Sequence, residues 1–182
     1  MKEGIRVLGI DDAPSKRTDE QTFLTGVVYR GTDFIEDIKT EGIRVDGEKA
    51  TEKVISLYRK CNNPRQIKAV LLDGVSFAGF NFVDIHEVSE RIEKPVIAVT
   101  PNEPDKETFR KAMESSDNYD ERFESLDPHE SIELEDGRCF IQYSGCDKRD
   151  AEAIVKNSII HGLVPEPIRV AHMIGRGILF RD

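Results

Sequence analysis

The chain has 182 residues, of which 38% are hydrophobic and 34% are charged. This composition is too apolar for an intrinsically disordered chain, and no apolar run reaches the roughly 18 residues that a membrane-spanning helix needs. The amino-terminal segment lacks the apolar stretch and cleavage site of a signal peptide. We therefore expect a single domain, residues 1–182, in the cytoplasm.

The negative charge is concentrated in one segment. The chain has a net charge of −9, and residues 114–136 contain ten acidic residues and one basic residue, so the remainder is neutral. Phosphate binding usually requires a basic surface. The neutral remainder is compatible with nucleic acid as a partner but gives no support for one. We interpret residues 105–130 as an acidic insertion that forms surface helices.

Apolar and β-branched runs predict three strands before the first helix. Ile5–Ile10 has the pattern of a short buried strand. Gln21–Arg30 and Asp33–Lys39 have the pattern of a hairpin, in which the second strand is half-exposed. Glu41–Gly42 then predicts a turn.

The rest of the chain alternates helices with strands and ends in helices. Strands are predicted at Ile67–Leu72 and Pro95–Val99, and a hairpin at Ser131–Tyr143. The first helix is predicted after Asp46–Gly47 and ends at Cys61. Further helices are predicted at 82–92, 151–161 and 168–179, the last after a chain break at Pro165–Pro167. Three strands before the first crossover helix exclude a Rossmann start. A leading antiparallel meander, followed by strands joined through helices, predicts an α/β fold of the ribonuclease H-like kind. Its mixed sheet would carry helices on both faces.

Acidic residues at strand ends are the most informative chemical feature. Asp11 ends the first strand, Asp73 ends the fourth, and Asp46 precedes the first helix. If the first and fourth strands are parallel neighbours, Asp11 and Asp73 lie at the same sheet edge and repel each other. Mg²⁺ or Mn²⁺ would remove that repulsion. Asp-Gly is also ordinary turn sequence, so a purely structural role stays open.

Other residues give weaker signals. Gly74, Gly79 and Asn81 lie in a loop that could hold a phosphate at the start of a helix, but it matches no phosphate-binding motif. Arg169 and Arg176 share a helix face and either contact phosphates or, as we favour, form ion pairs. The histidines show no metal-ligand spacing and receive no role. They are His86, His129, His161 and His172.

Four segments in combination point to a known family. These are Val7–Asp12 (VLGIDD), Val45–Gly47 (VDG), Leu72–Asn81 (LDG and AGFN) and Pro165–His172 (PEPIRVAH). Together they resemble domain-of-unknown-function family 99, an archaeal group also called uncharacterised protein family 0215. The resemblance spans nearly the whole chain. It implies a distant relation to endonuclease V, and hence a ribonuclease H-like fold.

The resemblance to endonuclease V also implies site residues. Its first-strand acid corresponds to Asp11, its Asp-Gly acid to Asp73, and its middle glutamate to Asp46, with Glu48 a weaker candidate. The stretch Pro165–His172 corresponds to its C-terminal helix. This chain departs from the pattern at Gly79, Thr100–Pro101 and Cys146, which stand near the places of a histidine, a lysine and a second histidine.

Three functional hypotheses follow. The leading one is a nuclease-like phosphodiester hydrolase that acts on DNA or RNA, with Mg²⁺ or Mn²⁺ held by Asp11, Asp73 and Asp46 and a water activated by the ion. The alternative is a non-catalytic relative that binds nucleic acid or a protein in the same cleft. A nucleotide-binding domain is less favoured, because no glycine-rich fingerprint follows the first strand.

Overall fold

The computed structural model describes residues 4–16, 18–103 and 129–179. Most of the predicted acidic insertion lies outside the described residues. The strands are β1 (Arg6–Asp12), β2 (Gln21–Arg30), β3 (Phe34–Arg44), β4 (Ile67–Asp73), β5 (Ser76–Phe77), β6 (Asn81–Phe82), β7 (Val96–Thr100), β8 (Glu130–Leu134) and β9 (Gly137–Ser144). The helices are α1 (Ala50–Lys60), α2 (Ile85–Ile92), α3 (Lys148–Ser158) and α4 (Glu166–Leu179), with a 3₁₀ turn at Pro64–Gln66.

Seven of the strands form one mixed sheet in the order β3-β2-β1-β4-β7-β9-β8. The first three pair antiparallel, and β1, β4 and β7 are parallel to one another. The hairpin of β8 and β9 closes the other edge by antiparallel pairing. This arrangement confirms the predicted ribonuclease H-like order of a meander followed by parallel strands.

Helices cover both faces of the sheet. One core joins the β1 residues Leu8 and Ile10 with α1 and α2. The other joins Val7 and Leu71 with α3 and the start of α4. Side chains alternate between faces along a strand, so the central strands, buried on both sides, are almost continuously apolar. No helix within the described ranges is long and apolar enough to cross a membrane.

Strand β3 is longer than the sequence predicts, and the turn at Glu41–Gly42 is wrong. The strand continues to Arg44, with Glu41 paired to Leu24 of β2. Glu41 is buried, and its carboxylate accepts hydrogen bonds from Lys53 and Lys60 of α1. These contacts with α1 stabilise an extended backbone where the local sequence indicates a turn.

Helix α4 begins two residues earlier than predicted. It starts at Glu166, so Pro167 lies in its first turn. The missing backbone N–H of proline costs nothing there, because the first N–H groups of a helix have no partner within it. The proline is therefore compatible with the first turn of this helix and does not interrupt the chain before it.

Candidate metal centre

Asp11 and Asp73 lie side by side at one edge of the sheet. β1 and β4 are parallel neighbours, with Ile10 opposite Leu72, so the next residue of each strand is an aspartate at the same carboxyl end. Ile10 and Leu72 both point into the core under α1 and α2. Alternation therefore directs both carboxyl groups to the opposite face, which α4 covers.

Close backbone contact fixes α4 over this edge. A Cβ on Gly9 would lie 2.4 Å from the carbonyl carbon of Pro167, closer than atoms can pack. Further along, a Cβ on Gly175 would lie 3.1 Å from the Cα of Ala13. The two glycines let the helix lie against β1 at both ends of the site. His172 is held between them, above Asp11.

Three side chains meet at this point. Asp11, Asp73 and His172 each offer one ligand atom, and these atoms all lie within 4.8 Å of one another. The His172 Nδ1 atom is 2.7 Å from Asp11 Oδ2. Asp11 is buried, whereas the His172 side chain is 48% exposed, so the cluster opens to solvent on the histidine side. We call these three residues the acidic cluster.

The electrostatics of the acidic cluster favour a cation. Burial, reinforced by the charges of Asp73 and Asp12, raises the pKa of Asp11 to about 8. Burial is also the largest cause that raises the pKa of Asp73 and of Asp12. The ionised form of these carboxyl groups is therefore destabilised, and a bound divalent ion would stabilise it. Two carboxylate oxygens and an imidazole nitrogen form a donor set that fits Mn²⁺, and the oxygens alone fit Mg²⁺.

Asp12, which sequence reasoning did not assign, connects the acidic cluster to the loop after β4. Its backbone N–H donates to Asp11 Oδ1 at 2.7 Å. Its Oδ2 accepts a hydrogen bond from the backbone N–H of Ala78, also at 2.7 Å. Asp12 therefore positions the small hairpin of β5 and β6 against the end of β1.

Asp46 faces that same hairpin and does not belong to the acidic cluster within the described residues. Its Oδ1 accepts from the backbone N–H of Phe80 at 3.0 Å, and its own N–H donates to the Ala78 carbonyl. A Cβ on Gly79 would lie 2.1 Å from Asp46 Oδ1, so glycine is required for this contact. The role of Asp46 as a metal ligand stays a prediction.

His172 could not be found from ligand spacing. It is separated from Asp11 by 161 residues, and only the docking of α4 brings them together. The available signal was its place in the stretch Pro165–His172. In the same helix, Arg169 forms an ion pair with Glu166 (Nη2 to Oε1, 2.5 Å), which agrees with the ion pairing favoured for this arginine.

Comparison with solved structures shows the same fold. A protein of unknown function from Archaeoglobus fulgidus superposes with a TM-score of 0.84 and 34% identity, covering 97% of this chain and 99% of that one. Endonuclease V from Ciona intestinalis, solved with a 24mer DNA containing an inosine followed by a ribo-adenosine, gives a TM-score of 0.62. It is 19% identical, and the match covers 97% of this chain and 87% of that one.

Sequence comparison places the chain among archaeal relatives. It is 38% identical over 182 residues to a UPF0215 protein from Methanothermobacter thermautotrophicus, covering 98% of this chain and 89% of that protein. Residues 3–179 match the family described as Endonuclease dU. This protein therefore belongs to the Endonuclease dU family, the UPF0215 group related to endonuclease V.

Proposed function

We propose that this protein is a divalent-metal-dependent endonuclease that hydrolyses a phosphodiester bond in DNA containing deoxyuridine. The observation that carries the proposal is the acidic cluster, in which the buried carboxyl group of Asp11, the half-buried one of Asp73 and a half-exposed histidine converge at the carboxyl edge of parallel strands. The family description and the DNA-bound endonuclease V neighbour support nucleic acid as the substrate.

Asp11 and Asp73 would hold the ion, Mg²⁺ or Mn²⁺. When bound, such an ion neutralises phosphate charge and lowers the pKa of water. The two strands fix both carboxyl groups before the ion arrives, so little ordering is required on binding. Asp46, which contacts the same hairpin as Asp12, is retained as a proposed further ligand.

His172 serves two purposes in this proposal. Its Nδ1 contact orients the Asp11 carboxyl group towards Asp73. Because the side chain is half-exposed, its other ring nitrogen, Nε2, can exchange a proton with a phosphodiester that lies over the cluster.

The proposal is tested by metal binding and then by cleavage. Isothermal titration with Mn²⁺ should show binding that Asp73→Asn abolishes, since an amide cannot supply the negative charge. End-labelled DNA with a single deoxyuridine should be cut by the wild-type chain with Mn²⁺ and left intact by Asp73→Asn. Asp33→Asn is the matched control, because Asp33 lies exposed in the turn between β2 and β3.

Two results would contradict the proposal. If Asp73→Asn binds Mn²⁺ as tightly as the wild type, the acidic cluster is not the metal centre. If the wild-type chain binds Mn²⁺ and the labelled DNA but never cuts it, the alternative of a non-catalytic nucleic-acid-binding relative is favoured.

A further inference from the structure

Thr25 carries a buried hydroxyl group that has no partner. The residue lies in the middle of β2, and its side chain is fully buried. Its Oγ1 atom has no hydrogen-bond partner among the described residues. A buried hydroxyl group without a partner loses its hydrogen bonds to water and gains none from the protein. Most buried polar side chains are paired, so an unpaired one indicates either strain or a bond that forms only when a ligand arrives.

Thr25 is the neighbour of Asp11 on the adjacent strand. β1 and β2 are antiparallel, and Thr25 is the Cα partner of Asp11. Side chains opposite one another in such a pair lie on the same face of the sheet, with their Cβ atoms about 5 Å apart. Val27, two residues further along β2, packs in one cluster with Val170 of α4. Thr25 therefore lies on the face that α4 covers, as the carboxyl group of Asp11 does.

The Asp11 carboxyl group has room for a further donor. Its Oδ1 accepts from the backbone N–H of Asp12, and its Oδ2 lies 2.7 Å from His172 Nδ1. An ionised carboxylate offers about four lone-pair positions, so these two contacts and one bound ion leave a position open. Thr25 has an O–H donor without an acceptor, and Asp11 has an acceptor position without a donor.

The other cross-strand neighbour of Thr25 does not offer the same match. Thr40 of β3 is the Cα partner on that side, and it is exposed. Water can satisfy an exposed hydroxyl group, so Thr40 gains little from a further hydrogen bond. The buried carboxylate of Asp11 is the neighbour that a further donor would stabilise most.

We infer that Thr25 is a positioning residue of the metal centre and that its hydroxyl group donates to the Asp11 carboxylate when a divalent ion is bound. The inference rests on the proposed function and adds a residue outside the acidic cluster. Rotation about the Cα–Cβ bond moves a threonine hydroxyl between staggered positions, so the bond can form while β2 stays in place. The bond would stabilise the charged form of Asp11 and fix its oxygens for the ion. The same hydroxyl group therefore destabilises the metal-free protein and stabilises the metal-bound one.

Thr25→Val tests both halves of this role, because it replaces the hydroxyl by a methyl group of nearly the same volume. In chelator, the urea midpoint should rise by roughly 0.5 M, because the unpaired buried hydroxyl is removed. The affinity for Mn²⁺, measured by isothermal titration, should fall about tenfold. A general loss of structure would lower both quantities, so a higher midpoint with a weaker affinity identifies the role.

Two further variants separate the hydroxyl group from its surroundings. Thr25→Ser retains the hydroxyl, so its Mn²⁺ affinity should match the wild type, although loss of the methyl group lowers the urea midpoint. Thr51→Val is the matched control. Thr51 is buried in α1, on the other face of the sheet, and its Oγ1 accepts from the backbone N–H of Asp84 at 3.0 Å. This variant should lower the urea midpoint and leave the Mn²⁺ affinity unchanged.

An unchanged Mn²⁺ affinity in Thr25→Val would overturn the inference. A lower urea midpoint of Thr25→Val in chelator would also overturn it, because the hydroxyl would then be paired already in the metal-free protein. So would a Thr25→Ser variant that binds Mn²⁺ as weakly as Thr25→Val. A wild-type chain that binds no Mn²⁺ refutes the proposed function and this inference together. A chain that binds Mn²⁺ and cuts DNA equally well with valine at this position refutes only the role of Thr25.

Discussion

Two sites in this protein bury carboxyl groups, and the pKa of the carboxyl group is shifted in opposite directions at the two sites. Glu41 is buried under α1, where hydrogen bonds from Lys53, Lys60 and Ser56 outweigh the effect of burial and lower its pKa to about 2. Asp11 has two acidic neighbours, and burial with their charges raises its pKa to about 8. One site contains its own cations, and the other would be stabilised by a cation from solution. This difference separates a structural carboxylate from a candidate metal ligand.

The largest expected effect is on the pH dependence of stability. Without metal, folded Asp11 binds a proton up to about pH 8, whereas the unfolded residue releases it near its ordinary 3.8. The folded state binds more protons between these values, so the free energy of unfolding should fall by several kcal/mol as pH rises from about 4 to 8. Urea denaturation in chelator measures this, and Asp11→Asn should flatten the slope.

The Glu41 site should respond in the opposite direction. Because folding lowers the pKa of Glu41, its stabilising contribution is complete above about pH 4.5 and is lost as pH falls towards 2. The same denaturation series, extended to low pH with Glu41→Gln, separates the two sites. If the unfolding free energy changed with pH in the same direction at both sites, the contrast between Asp11 and Glu41 would be contradicted.

Gly9→Ala is expected to cost about 3 kcal/mol of unfolding free energy. Its Cβ would lie 2.4 Å from backbone, which cannot move without lifting α4 from β1. Mn²⁺ binding should weaken in the same variant, because His172 moves with the helix. Gly177→Ala is the control, since its Cβ meets nothing within 4 Å. Equal stability of the two variants would show that α4 is not held by this contact.

Removing charge at the two sites should change stability in opposite directions. Glu41→Gln loses charge-assisted hydrogen bonds and should destabilise the chain by about 2 kcal/mol. At pH 9, above its raised pKa, metal-free Asp11→Asn should stabilise the chain by several kcal/mol, because it removes the loss of stability that ionisation of Asp11 causes between about pH 4 and 8. Thermal and chemical unfolding measure both. A destabilised Asp11→Asn would mean that its charge is already compensated within the protein.

The smallest expected effect is that of His172→Gln, which should weaken Mn²⁺ binding about tenfold. Glutamine can still donate to Asp11, but its flexible side chain orients the Asp11 carboxyl group less firmly than the imidazole ring does. His86→Gln is the matched control, since His86 contacts Ser144 in another part of the sheet. Calorimetry gives the affinities, and an unchanged affinity in His172→Gln would remove the histidine from the centre.

The sequence predicted the parts of this structure that local pattern decides. Hydrophobic runs place Asp11 and Asp73 at strand ends, whereas the parallel pairing of those two strands was assumed from the sequence and is shown by the structure. The sequence did not predict that His172 lies beside Asp11. That contact depends on the close packing of α4 on β1 at Gly9 and Gly175, which is visible only in the tertiary structure. The extended backbone at Glu41 likewise depends on lysines of α1, a tertiary contact that overrides local turn preference.

For Asp46, the sequence indicates the position of the residue but not the direction of its side chain. Its place before the first helix is visible in the sequence, but its φ of 50° and its contact with Phe80 are not. A positive φ turns this side chain towards the β5–β6 hairpin. Chain position alone therefore indicates which acids lie near the sheet edge, and backbone conformation decides which of them face each other.

The most direct test of the central claim is a crystal soaked in Mn²⁺ and measured at a wavelength where manganese scatters anomalously. An anomalous peak between the carboxyl groups of Asp11 and Asp73, within reach of His172, is the result that the account predicts. A fully occupied ion elsewhere, or no peak at saturating Mn²⁺ near pH 8, would contradict it.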